Sequence, residues 1–319
     1  MLEHLSIKHF RLFEDFFLDG LRQVNLFTGK NNSGKTVLLE AIRIWASQGD
    51  TTVINHILLQ RGEWVPGWGE SYEALFHRDN LSSHLSETDF SLSINEFSIV
   101  RHTSENWKPY CESLWNGKRI TPNLDASLPA DFPRDGAVFL SLGADSQFPL
   151  FQLWNKIVLT PEEDEVLEII RETILPEIVR IDINQTRTLV RVSHEAKPLP
   201  LQNFGEGVLR MMLLAVALVS AKGKILLIDE VEAGLHHTTM EMFWKKIFDY
   251  AQKHNVQVFA TTHSHDAVKA FTYALENTEN TTSGTFIRLQ KSRKNKSVET
   301  VKYSLDDLEL SLESNLEPR

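Results

Sequence analysis

The run Gly29-Lys30-Asn31-Asn32-Ser33-Gly34-Lys35-Thr36 joins two apolar segments and restricts the fold more than any other stretch of the chain. Before it, Val24-Asn25-Leu26-Phe27-Thr28 reads as a short buried strand; after it, Val37-Leu38-Leu39-Glu40-Ala41-Ile42 opens a helix. Gly29 and Gly34 permit a tight turn in which successive backbone N–H groups converge, and the helix N-terminus points its positive dipole end at the same place. Strand, glycine loop and helix in that order build an anion cradle. The GxxxxGK[ST] spacing makes the anion a polyphosphate, with Lys35 placed to reach the β- and γ-phosphates and Thr36 to bind Mg²⁺. A glycine turn with a solvated lysine is the alternative, and the complete pattern argues against it.

Two later strands supply what such a loop needs around it. Lys224-Ile225-Leu226-Leu227-Ile228 has no polar residue after its lysine, which fits a strand buried on both faces of a parallel sheet. Residues after such a strand emerge at the carboxyl edge of the sheet, where ligands bind. Asp229 lands there to hold the Mg²⁺ shell, and Glu230 follows to orient or activate an attacking water. Phosphoryl transfer needs positioning and charge neutralisation more than covalent chemistry, so lysine, metal and one carboxylate suffice. Val256-Gln257-Val258-Phe259-Ala260 ends likewise in Thr261-Thr262-His263-Ser264. There His263 can donate a hydrogen bond to a γ-phosphate, while Thr262 or Ser264 caps the helix carrying Ala267, Val268, Ala270 and Phe271. His236, His237, His263 and His265 lack the spacing and partners of a zinc site, and the single cysteine, Cys111, lies far from them in sequence.

Asn203-Phe204-Gly205-Glu206-Gly207 precedes an apolar helix from Val208 to Ala221, interrupted by Arg210 and Ser220. Glycines at a helix N-terminus are again an anion-binding device. Their place, between the phosphate loop and Ile225–Glu230, is where ATP-binding-cassette (ABC) proteins keep their signature motif. Leu5-Ser6-Ile7-Lys8-His9-Phe10-Arg11 and Asp229-Glu230-Val231-Glu232-Ala233-Gly234-Leu235-His236 add a family opening and a DExExGLH pattern. On these residues the chain resembles a soluble ABC ATPase of the RecF/OLD-like group (OLD: overcoming lysogenization defect).

The resemblance implies an α/β P-loop NTPase of ABC-ATPase type, with a mixed sheet, an N-terminal antiparallel β subdomain and a helical lobe. The whole chain is expected to be one such domain, with a nucleotide-binding lobe at about 1–149 and 206–319 and a helical lobe at about 150–205. ATP and Mg²⁺ are the implied ligands. ATP would be held by Gly29, Lys30, Asn31, Asn32, Ser33, Gly34, Lys35 and Thr36, and the metal by Thr36 and Asp229. Lys35, Glu230 and His263 are the implied catalytic residues, His263 as the switch histidine. In ABC proteins the signature of one subunit covers the γ-phosphate held by the other. Phe204, Gly205, Glu206 and Gly207 are therefore expected to act in trans in a homodimer, with Gly234 in the loop that communicates between sites. The signature serine is replaced here, with Phe204 or Asn203 near its place. Gln147, and next Gln152, are candidates for the metal-facing glutamine expected after Val138–Leu142; a solvated loop residue is the alternative reading.

Charge and composition narrow the partners. Thirty-three basic against 43 acidic residues give a net charge of −10, without the basic footprint of a protein that grips DNA along its length. Lys291-Ser292-Arg293-Lys294-Asn295-Lys296 is the one dense basic cluster, read as a hairpin turn between Thr285–Leu289 and Ser297–Tyr303; nucleic-acid contact is then local or through a partner. No run approaches membrane-spanning length, MLEHLSIKHF alternates like a strand rather than a signal peptide, and one cysteine agrees with a reducing cytoplasm. Thr160-Pro161-Glu162-Glu163-Asp164 starts a helix with Val166, Leu167, Ile169, Ile170 and Ile174 on its apolar face. Prolines scattered from Pro66 to Pro198 exclude long coiled-coil arms. Only Ser264–Arg319 follows the switch histidine, and its acids Asp306, Asp307 and Glu309 read as a helix surface rather than a Toprim metal site. The leading expectation is an ATPase without its own nuclease, a switch for a separately encoded effector such as a Toprim-like nuclease in anti-phage defence. A RecF-like DNA-repair ATPase is the second reading. The third, a transporter motor subunit, fits poorly with the non-standard signature and the N-terminal strands.

Overall fold

β1 (Leu5–Phe10) and β2 (Phe13–Leu18) form an antiparallel hairpin, Leu5 opposite Leu18 and Phe10 opposite Phe13. Alternation drives it: Leu5, Ile7 and Phe10 are fully buried while Lys8 between them is exposed. β3 (Val24–Thr28) leaves this layer for a second sheet, buried at every position as its apolar sequence requires. The structure, a computed structural model, describes residues 1–64, 70–77, 90–104, 107–120, 136–141, 147–278, 281–292 and 297–313.

After β3 come α1 (Lys35–Ala46), α2 (Thr51–Gln60) and α3 (Glu70–Glu73), then β4 (Phe90–Ile94), β5 (Phe97–Ser104), β6 (Trp107–Trp115) and β7 (Lys118–Ile120). These strands extend the first hairpin into a 6-stranded antiparallel sheet, order β2-β1-β4-β5-β6-β7. This is the expected N-terminal β subdomain, larger than the sequence indicated.

β8 (Ala137–Ser141), α4 (Gln147–Ile157) and α5 (Pro161–Thr173) follow. Thr160 is the N-cap of α5 and Pro161 its first residue, with Glu162, Glu163 and Asp164 in the first turn. The Thr160 hydroxyl donates to the Ile157 carbonyl at 2.5 Å instead of capping, so proline and acids start this helix. The segment read as a helical lobe then departs from the expectation. β9 (Ile178–Ile183), β10 (Thr188–Val192) and β11 (Leu199–Pro200) make a 3-stranded antiparallel sheet, order β11-β10-β9, before a 3₁₀ turn at Leu201–Phe204.

The remaining elements are α6 (Glu206–Ser220), β12 (Ile225–Asp229), α7 (His237–His254), β13 (Gln257–Thr261), α8 (His265–Glu276), β14 (Gly284–Lys291), β15 (Val298–Tyr303) and α9 (Leu305–Glu313). The site-bearing sheet runs β15-β14-β3-β13-β12-β8, parallel except for the edge strand β15. β14 and β15 are the expected hairpin, with 293–296 at its turn outside the described residues. α6 is buried continuously from Met211 to Val219, because a helix apolar on all sides is stable only inside a core.

Two polar anchors join the layers. Gln257 of β13 accepts from Leu2 N–H and donates to Leu2 O, both at 2.7 Å, tying the chain start to the parallel sheet. Arg11, after β1, pairs through Nε with Glu40 of α1 at 3.0 Å and through its terminal nitrogens with Glu63; Arg61 also reaches Glu40. Burial raises the Glu40 pKa despite the two arginines, as expected for a carboxylate taken out of water.

Candidate nucleotide site

The phosphate loop leaves β3 and enters α1 through backbone conformations that glycine alone adopts freely. Gly29 has φ 149°, Gly34 φ 106°, and Asn32 between them φ 66°. A side chain on Gly29 would place its Cβ 2.3 Å from the Leu289 carbonyl of β14; one on Gly34 would meet Leu12 and Phe13 at 3.0 and 3.3 Å. The loop is thus wedged between the parallel sheet and the N-terminal hairpin. Gly29→Ala is expected to lower the melting temperature by at least roughly 2 °C and ATP affinity by about tenfold or more. Thermal denaturation and titration with a fluorescent ATP analogue check both.

Inside the loop Lys35 is buried. Its Nζ donates to the carbonyls of Gly29 (2.8 Å) and Lys30 (3.3 Å) and lies 3.4 Å from His263 Nδ1. Burial holds its pKa below the ordinary lysine value, with the charges of Asp229, Glu232 and Glu230 pulling it back up. The Ser33 hydroxyl is buried without a hydrogen-bond partner, while Lys30, Asn31 and Asn32 are exposed. An orphaned hydroxyl beside a lysine resting on loop carbonyls fits an incoming phosphate, which would take up both.

Register brings the acids alongside. β12 pairs with β13 up to Ile228–Ala260 and with β8 up to Asp229–Ser141, so Asp229 emerges at the carboxyl edge next to the loop. Thr36 Oγ1 donates to Asp229 Oδ2 at 3.0 Å; Thr261 Oγ1 donates to Asp229 Oδ1 at 2.5 Å. Glu230 has φ 58°, a left-handed conformation that costs a non-glycine residue about 1–3 kcal/mol, and its carboxylate side is exposed. Its N–H donates to Thr261 Oγ1 at 2.9 Å. Thr36 and Asp229 together form a hard-oxygen pair suited to Mg²⁺, which when bound supplies charge neutralisation at the phosphates. Glu232, not singled out from the sequence beyond its motif, accepts the His263 backbone N–H at 2.7 Å and holds the chain there.

The signature residues lie apart from this cluster. Gly205 is the N-cap of α6 at φ 87°, with open space where a Cβ would project, and Glu206 is exposed. Gly207 packs toward the carbonyl of Gly234, 3.7 Å from its Cβ position, and the Arg210 stem lies 3.0 Å from the Cβ position of Gly234. Within one chain the start of α6 therefore touches the loop at Gly234. Phe204 is half-buried, and its side chain packs against the main core. Of the two candidates for the signature serine's place, Asn203 is the exposed one. Gln147 is the first residue of α4 and its side chain lies outside the described residues; Gln152 is half-buried within that helix.

A phosphate loop opening the helix after β3, paired acids at the end of β12 and a histidine after β13 sit on a P-loop fold of the SMC-head and ABC-ATPase-like type. The fold agrees with an SMC head domain from Thermotoga maritima, at 13% identity and TM-score 0.53 over 95% of this chain and 99% of that one. It agrees also with a Pyrococcus furiosus Smc head bound to the C-terminal domain of ScpA, at 12% identity and TM-score 0.52 over 98% of both. The chain belongs to the family described as "AAA domain, putative AbiEii toxin, Type IV TA system", whose model matches residues 24–268. An ATP/GTP phosphatase of Helicobacter pylori is 23% identical over 324 residues, covering 84% of this chain and 87% of the relative. Among the described residues no helix is long and apolar enough to cross a membrane.

Proposed function

We propose that this protein is a Mg²⁺-dependent ATPase that closes as a homodimer around ATP and passes its state to a separately encoded effector. The observation that carries the dimer is the exposed signature: Gly205 faces open space at the start of a helix that is buried in the core from Met211 to Val219. An exposed helix start opened by glycines is suited to lid the triphosphate of a second copy. In that arrangement Lys35, Thr36, Asp229, Glu230 and His263 act in one subunit, and Phe204, Gly205, Glu206 and Gly207, with Asn203 or Phe204 in the signature serine's place, act from the other.

Lys35 and the loop hold the phosphates, Glu230 orients and accepts a proton from the attacking water, and His263, fixed by Glu232, reads the terminal phosphate. We assign the binding lobe to about 1–149 and 206–319, with 150–205 as the lobe leading into the signature. The relative named an ATP/GTP phosphatase supports nucleotide hydrolysis. The Smc head bound to part of ScpA supports a head that acts on a second protein. The RecF/OLD-like motifs and the family's toxin–antitoxin description together favour an effector, such as a nuclease, in cytoplasmic anti-phage defence. Gly207→Arg tests the trans assignment. It is expected to keep ATP binding while turnover falls by about a hundredfold or more and ATP no longer yields a dimer by light scattering. Normal turnover in a folded Gly207→Arg protein sinks the signature assignment.

A further inference from the structure

Thr261 lies at the end of β13, fully buried, and it holds the segment after β12 at three points. Its hydroxyl donates to Asp229 Oδ1 at 2.5 Å, the same oxygen accepts the Glu230 N–H at 2.9 Å, and its carbonyl accepts the Val231 N–H at 3.0 Å. A hydroxyl can donate once and accept twice, so one threonine satisfies an acid and the adjacent peptide together. The ladder between the two strands ends at Ile228–Ala260, and the clamp takes over at the next residue. Glu230 leaves the strand in a left-handed conformation there, which a β-strand residue adopts only when held.

We infer that Thr261 is the positioning residue of the hydrolytic site: its hydroxyl couples the seat of the metal, Asp229, to the backbone orientation of the general base, Glu230. The inference rests on the hydrolysis reading proposed above. Three features separate this role from ordinary core packing. The hydroxyl bonds both the Asp229 carboxylate and the Glu230 peptide N–H. Asp229 uses its other oxygen for Thr36, at 3.0 Å, so the phosphate loop, metal seat and base peptide form one unbroken hydrogen-bonded chain. The neighbouring Thr262 hydroxyl, by contrast, accepts from Ser264 N–H and serves only the start of α8. Any change in how Asp229 is held is therefore passed to the peptide that aims Glu230.

Thr261→Val keeps the β-branched shape and the strand backbone and removes only the hydroxyl, leaving one Asp229 oxygen and the Glu230 N–H unpartnered. The full-length variant is compared with wild type and Thr261→Ser by phosphate release at varied ATP and Mg²⁺, titration with a fluorescent ATP analogue, and thermal melting. In Thr261→Val, kcat is expected to fall about tenfold to a hundredfold and half-saturating Mg²⁺ to rise, while ATP affinity stays within about threefold. Thr261→Ser is expected to recover kcat to within about threefold of wild type. Thr261→Val turnover equal to wild type overturns the positioning role alone. So does a parallel loss of ATP affinity and melting temperature that serine fails to rescue, since that marks a packing role. Absence of phosphate release by the wild-type chain overturns the hydrolysis reading, and this role with it.

Discussion

Glu230→Gln is expected to bind ATP as wild type does, to lose at least about a hundredfold in turnover, and to accumulate as a closed dimer. The amide has nearly the shape of the carboxylate, and the left-handed backbone is held by the Thr261 hydroxyl rather than by the side chain, so the site keeps its form. Lost is a group that can accept a proton from water. Nucleotide would be captured and lidded but not cleaved, and mass action would then draw the subunits together. Light scattering with ATP and Mg²⁺, before and after the mutation, reads the outcome. A Glu230→Gln protein that remains monomeric at saturating ATP contradicts the trans site and leaves Gly205 and Gly207 without a role.

Local patterns made the chemistry legible. Val24–Thr28 is the strand the sequence marks, Asp229 and His263 follow strands at the carboxyl edge, and Ser264 caps α8 by accepting the Ala267 N–H. In each case one short run carries both the buried strand and the polar residues it delivers. The small sheet β9–β11 stayed hidden for a related reason. Arg180 and Asp182 on its outer face interrupt the apolar run, Arg191 does the same in β10, and β11 is only Leu199–Pro200. Such strands are fixed by pairing with one another and by packing of Ile178, Ile181 and Val190 into the core; the only local sign of them is the brief alternation in Ile181-Asp182-Ile183 and Val190-Arg191-Val192.

The same limit applied within the site. Thr261 and Glu232 stand in motifs that give neither a role; the partners that do, Asp229 and His263, lie 32 and 31 positions away. Phe204 stands in the motif next to the glycines, and packing against the main core half-buries its ring there.

Lys35→Ala is expected to abolish nucleotide binding, by at least about a hundredfold, and with it every ATP-dependent activity. An ammonium donating to a phosphate makes charge-assisted hydrogen bonds worth about 1.5–3 kcal/mol each, and Lys35 is the one buried cation of the phosphate loop. The pH dependence of stability offers an independent check on its state. Burial sets the folded pKa below the unfolded value, so the folded state binds fewer protons in the alkaline range between the two. Stability owed to this group therefore rises with pH in that window: the cost of keeping a buried ammonium charged is relieved as it deprotonates. In the ligand-free protein, wild type is expected to gain melting temperature relative to Lys35→Ala between neutral pH and the ordinary lysine value. A difference between the two proteins that stays constant over that range would place Lys35 in water, free of the loop carbonyls, and would remove the physical basis for its grip on the phosphates.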